Sequence, residues 1–139
     1  MATLKPRVVV LAPSDDAIAR RFASVTEVPL AHRARDVLRL RPDVLHARLP
    51  LSDLARLTLT STLAGVRAVV LQPTGAPPDT VPRWHRRVHR WLHANQDEAR
   101  AWRACGLHLG RQVVVADDAP DAELRATLQA IWTESARMG

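Results

Sequence analysis

The chain has 139 residues, a formal net charge of +6 and 47% hydrophobic residues. That is the length of one domain with enough apolar content for a core, so general disorder is excluded. No apolar run approaches the roughly 20 residues of a transmembrane helix, and a lone cysteine excludes an internal disulfide or a cysteine-based zinc site.

Residues 7–12 form the first apolar run, too short for a signal-peptide core, and no cleavage pattern follows. A cytoplasmic location is expected, with a membrane-peripheral placement left open by the basic charge. Lys5 is the only lysine, so arginine carries nearly all the basicity. A GC-rich genome accounts for part of that bias, yet a basic surface still attracts nucleic acid, anionic lipid or phosphorylated ligands.

In chain order, residues 7–12 predict a buried β-strand. Ser14 or Asp15 is placed to cap a helix over residues 17–25. Residues 27–30 suit a short strand. Residues 33–40 are helical in pattern and end before Pro42. Residues 44–47 predict a third strand, and Pro50 with Ser52 opens a long helix that Gly65 stops. Residues 67–71 predict a fourth strand, followed by a long loop over 73–82 that is either functional or mobile. Residues 112–116 predict another strand. The final helix starts at Pro120 and Asp121 and sets Leu124, Leu128, Ile131 and Trp132 on one face.

Residues 83–106 hold three of the four tryptophans, three of the six histidines and the densest arginine run. Read as one helix, Trp84, Val88, Trp91 and Leu92 make the buried stripe. Read as a short strand over 91–94 followed by a helix over 96–105, Ala99 and Trp102 face inward and Gly106 ends the helix. The second version suits the alternation elsewhere and is preferred.

Alternating strand and helix patterns predict an α/β three-layer sandwich, a mainly parallel sheet of five to six strands with helices on both faces. Strands 7–11, 44–47, 67–71 and 112–115 are expected inside the sheet. Ligands in such folds sit beyond the carboxyl ends of the strands. That rule nominates Ser14, Asp15, His46, Arg48, Gln72, Asn95 and Gln96 as ligand-binding candidates, with Asp117 and Asp118 at the same edge. His46 is either a base or acceptor contact, or more commonly a core-edge histidine. Asp15, Asp16, Asp117 and Asp118 could group around Mg²⁺, but helix-start roles for Asp15 and Asp117 are simpler. His85, His89 and His93 have metal-ligand spacing, but arginines crowd them, so no metal site is expected. Arg83, Arg86, Arg87 and Arg90 are candidates for binding an anionic surface, lipid or nucleic acid. Cys105 reads as buried and inert. No Walker loop or Gly-x-Gly-x-x-Gly is present.

The order of segments resembles the N-terminal, acceptor-side domain of GT-B glycosyltransferases of the retaining, family-4 type. Arg39-Leu-Arg-Pro-Asp-Val-Leu-His-Ala47 is similar to the family's "arginine, proline, aspartate, valine, hydrophobic, histidine, alanine" strand. Val66-Arg-Ala-Val-Val-Leu-Gln72, Trp91-Leu-His-Ala-Asn-Gln-Asp-Glu-Ala99 and Gln112-Val-Val-Val-Ala116 follow in the family's order. The chain departs from that pattern at Pro13-Ser-Asp-Asp16, where the family has a Gly-Gly turn, and at Arg48, where it has a second histidine. It also departs at Ala116-Asp-Asp-Ala-Pro120, where the family's hinge lies. The family's nucleotide-sugar site lies mainly in a second domain absent from this sequence. The resemblance therefore implies a half-enzyme with no catalytic residue or cofactor of its own, paired with a separate donor-binding subunit. The alternative is a small non-catalytic module that binds nucleic acid or an anionic membrane through an arginine-rich helix.

Overall fold

A computed structural model describes residues 5–138, with Trp84 described by its backbone alone. In order the elements are β1 (Val8–Leu11), α1 (Ala17–Thr26), β2 (Leu30–Ala31), α2 (Ala34–Leu40), β3 (Val44–Pro50) and α3 (Leu54–Ala64). They continue with β4 (Ala68–Thr74), β5 (Arg90–His93), α4 (Gln96–Ala104), β6 (Gln112–Val114) and α5 (Asp121–Met138). The strands form one six-stranded sheet in the order β2-β1-β3-β4-β5-β6. Every pairing is parallel. The chain is thus an α/β three-layer sandwich, as the alternating pattern predicts.

Strand pleating explains why the inner strands are apolar almost throughout. Successive side chains point to opposite faces, and both faces are covered. Val8 and Val10 join a core with Phe22 of α1 and Leu124, Leu128 and Trp132 of α5. Val9 and Leu11 join a second core with Val37 of α2, Leu57 of α3, and Trp91 and Trp102. Trp102 and Trp132 are both buried, as their positions on the inward helix faces require.

Several boundaries differ from the sequence expectation. Asp16, not Ser14 or Asp15, caps α1: its carboxylate accepts from the Ala19 amide at 2.9 Å. β2 lies at residues 30–31 rather than 27–30, because the left-handed turn at Glu27 (φ 57°) carries the chain beyond α1 first. β3 runs on to Pro50, three residues past its expected end, because each added residue pairs with β4 as far as Thr74. A 3-10 turn at Leu51–Asp53 precedes α3. β6 is an edge strand, not an inner one, and β5 takes the inner place. The preferred version of the tryptophan-rich segment holds. Residues 90–93 are a strand, α4 follows, and the arginine run forms a 3-10 turn, Arg83–Arg87, in place of a longer helix.

Candidate functional site

β2 and β3 lie on opposite sides of β1, so the strand order reverses between β1 and β3. Chain connections leave that point in opposite directions, which opens a crevice beyond the carboxyl ends of the strands. Two groups of residues meet there, one on each face of the sheet.

On the α1/α5 face a polar row crosses the sheet edge. Arg48 and Gln72 are register neighbours near the ends of β3 and β4. Arg48 Nε donates to Asp16 Oδ2 at 2.9 Å, with both side chains nearly buried. The same Asp16 carboxylate caps α1, so one residue fixes both a helix start and a strand end. Gln72 is buried, and its Nε2 donates to Asp117 Oδ1 at 3.2 Å. The Gln72 side-chain oxygen Oε1 has no partner. The loop carrying Asp117 is pinned to α1 by Arg21, which donates to the carbonyls of Asp117 and Ala119 and pairs with Asp121 at 3.0 Å.

On the α2/α3 face lies a crevice of about 400 Å³, walled by Leu11, Pro13, His32, Arg33, Asp53 and Arg56 among others. His32 follows β2 directly, and its Nδ1 lies 2.8 Å from the Ala12 carbonyl. A carbonyl can only accept, so Nδ1 carries the proton and a neutral His32 keeps its Nε2 lone pair. The ring is thereby oriented with one basic nitrogen free to accept.

The seven nominated ligand residues therefore separate. Arg48 and Gln72 come together, and each brings an acidic partner from another loop. Ser14 and Asp15 are exposed in the turn before α1, where the Ser14 carbonyl accepts from Arg20 at 3.2 Å. Asn95 serves as the N-cap of α4, accepting from the Glu98 amide at 2.8 Å, and Gln96 is exposed at the first position of that helix. His46 does not stand at a strand end. Because β3 continues past it, the ring is fully buried, edge-on to both Phe22 and Trp132. Trp132 Nε1 donates to its Nδ1 at 2.9 Å. Burial first, and then the Arg48 cation, lower its pKa from 6.5 to about 3, so it is a neutral core group.

His93 and His89 of the central segment are also neutral structural groups. His93 is fully buried, and burial, with Arg103 adding to it, lowers its pKa to about 4. His89 accepts from the Val69 amide through Nδ1 at 3.1 Å, and its pKa is lowered by burial, then by Arg111 and Arg90. Among the described residues no group of three or more metal-ligating side chains forms. Cys105 is half-buried and donates its thiol to the Pro78 carbonyl at 2.6 Å, tying the loop after β4 to the end of α4.

Sequence reasoning missed His32, Arg33, Asp53 and Arg56. The rule that nominated the other strand ends would have found His32 once β2 was set at residues 30–31. No family model, curated protein or solved structure matches this chain.

Proposed function

We propose that the chain is the acceptor-side half of a two-part glycosyltransferase of the GT-B kind, and that it holds a hydroxyl-rich or phosphorylated acceptor at the strand-order reversal. The observation that carries this reading is the crevice between β1 and β3, walled by His32, Arg33, Asp53 and Arg56. A sugar-like acceptor presents hydroxyls that donate and accept in turn. Guanidinium groups supply donors, Asp53 supplies an acceptor, and the free nitrogen of His32 can accept a hydroxyl proton. The buried Asp16–Arg48 pair supports the reading from beneath, because it fixes the β1–α1 turn whose Pro13 lines the same crevice.

In this reading the donor nucleotide sugar is held by a separate chain, and transfer needs both. The test is two-sided. Amide resonances near His32 and Arg56 should shift on titration with a sugar phosphate and stay still with a nucleotide sugar. The chain alone should transfer nothing. Turnover by the isolated chain that disappears in His32→Ala would overturn the half-enzyme reading and make this crevice a complete active site.

A further inference from the structure

The opposite rim of the sheet carries a different surface. Every strand runs parallel and every helix returns against it, so strand starts and helix ends share one rim. Arg7 and Arg67 stand just before β1 and β4, and both are exposed. Arg86 and Arg87, also exposed, sit in the 3-10 turn before β5. Arg111 precedes β6 and reaches back to the Arg86 carbonyl at 2.9 Å, which fixes the two segments side by side. The amide of Val81 donates to the Cys105 carbonyl at the end of α4, so the chain has already returned to this rim when the arginine run begins. Arg41 and Arg137 at the ends of α2 and α5 extend the charge.

Helix dipoles favour cations at helix ends and so account for Arg41 and Arg137. They do not account for Arg7, Arg67, Arg86, Arg87 and Arg111, which lead into strands. The arginines outnumber the acids of this rim, which include the exposed Glu27 at the end of α1, Asp43 before β3 and Glu134 near the end of α5. Glu134 pairs with Arg90 at 3.0 Å, and Asp43 accepts the Arg7 amide at 2.8 Å.

Most of the exposed large apolar side chains lie at the same rim, Leu59 in the middle of α3 being the exception among the described residues. Leu38 and Leu40 are in the last turn of α2, Leu63 is in the last turn of α3, and Leu109 is in the short turn before β6. Leu63 and Leu109 are each 61% exposed. α2 packs on α3, and α3 packs on the 83–87 turn, so the leucines and arginines are carried by elements that adjoin one another. A polyanion such as DNA would draw on the arginines alone. Arginines interleaved with exposed leucines match a bilayer surface, where cations meet headgroup phosphates and leucines enter the acyl boundary.

We infer that this rim, built from the starts of the strands and the ends of α2 and α3, docks the protein flat on an anionic lipid bilayer. The inference is independent of the acceptor crevice, which opens at the other end of the sheet and would face away from the membrane.

Cosedimentation with vesicles tests it without any sugar or partner chain. The protein should bind phosphatidylcholine vesicles that contain phosphatidylglycerol, and not phosphatidylcholine alone. Replacing Arg67, Arg86 and Arg87 with glutamine should weaken partitioning roughly hundredfold, at about fivefold per basic residue. Leu63→Ser with Leu109→Ser should weaken it about tenfold through lost insertion, with any binding to a DNA oligonucleotide unchanged. Arg35→Gln with Arg100→Gln, both exposed, one near the start of α2 and one in the middle of α4, should change nothing. Circular dichroism would confirm that each variant is folded. Failure of the parent protein to bind anionic vesicles would overturn the inference. So would a leucine variant that binds them as tightly as the parent, because the rim would then be a plain polyanion site.

Discussion

His46 makes the core sensitive to acid. Its Nδ1 accepts from Trp132, so Nε2 carries the proton of the neutral ring, and that nitrogen has no partner. A second proton has only Nδ1 to occupy, where it would face the Trp132 N–H and end that hydrogen bond. The folded pKa of about 3 lies below the ordinary 6.5, so between those values the unfolded chain binds more protons. Stability is therefore full above about pH 6.5, falls as the pH drops through that window, and levels off below the folded value. Two pH units below the ordinary value, at ~1.4 kcal/mol per unit, the loss from this one ring is roughly 2–3 kcal/mol.

Urea unfolding of the parent and of His46→Leu, followed by tryptophan fluorescence at neutral pH and near pH ~4.5, isolates this contribution. At neutral pH the variant should be less stable by about 1–3 kcal/mol, because the buried Trp132 N–H loses its acceptor. Near pH ~4.5 the gap should close by roughly 2–3 kcal/mol or reverse, since the variant has no ring to protonate. His89 and His93 titrate in both proteins and cancel in the difference. A gap of equal size at both pH values would refute the argument and mean that His46 is solvated in the folded protein.

Asp16→Ala should cost about 3–5 kcal/mol in a denaturant melt, because it removes the cap of α1 and leaves Arg48 without its carboxylate. Asp16→Ser with Arg48→Met should recover most of that loss, since serine still caps and no buried charge remains; failure to recover would mean the ion pair itself supplies the stability. Trp102→Ala should cost about 3–5 kcal/mol by the same assay, and a change below ~1 kcal/mol would mean that α4 does not pack through that ring. Gly65→Ala should lower stability by roughly 1 kcal/mol, because the helix ends there at φ 69°, where an alanine Cβ is strained.

Much of the fold was legible in the sequence because burial on both faces leaves a plain signature. Residues 8–11 and 68–71 are apolar without alternation, as strands covered on both sides must be, and the stripe of α5 falls at Leu124, Leu128, Ile131 and Trp132. Strand order was less legible. The valines of β6 look like those of β1, yet they lie half-buried at the sheet edge, because position in a sheet depends on the crossovers. The candidate site turned on small offsets. Ending β3 at residue 47 puts His46 at a strand end, whereas ending it at Pro50 puts His46 in the core and Arg48 at the edge. Setting the α1 cap at Asp16 rather than Asp15 brings the carboxylate to Arg48. Neither offset alters the local pattern, and both follow from pairing with a neighbour distant in sequence.

The charge pattern joins the fold to both functional readings. A compositional bias could make nearly every cation arginine rather than lysine, but it has no means of placing them. Along the chain, acidic or amide residues stand at four of the five helix starts, Asp16, Asp53, Asn95 and Asp121, and Arg33 stands at the start of α2. Arginines stand directly before three of the six strands, as Arg7, Arg67 and Arg111, while Asp43 precedes β3. A parallel sheet turns that alternation into two poles, because all strand starts fall on one rim and all helix starts on the other. The helix-start pole holds Asp53 with Arg33 and Arg56 in the crevice, and Asp16 with Arg48 and Asp117 in the polar row beside it. The strand-start pole holds the exposed Leu38, Leu40, Leu63 and Leu109. In the two proposed readings, acceptor binding and surface docking would fall at opposite ends of the sheet, so that the crevice would stay open to solvent while the far rim rested on lipid.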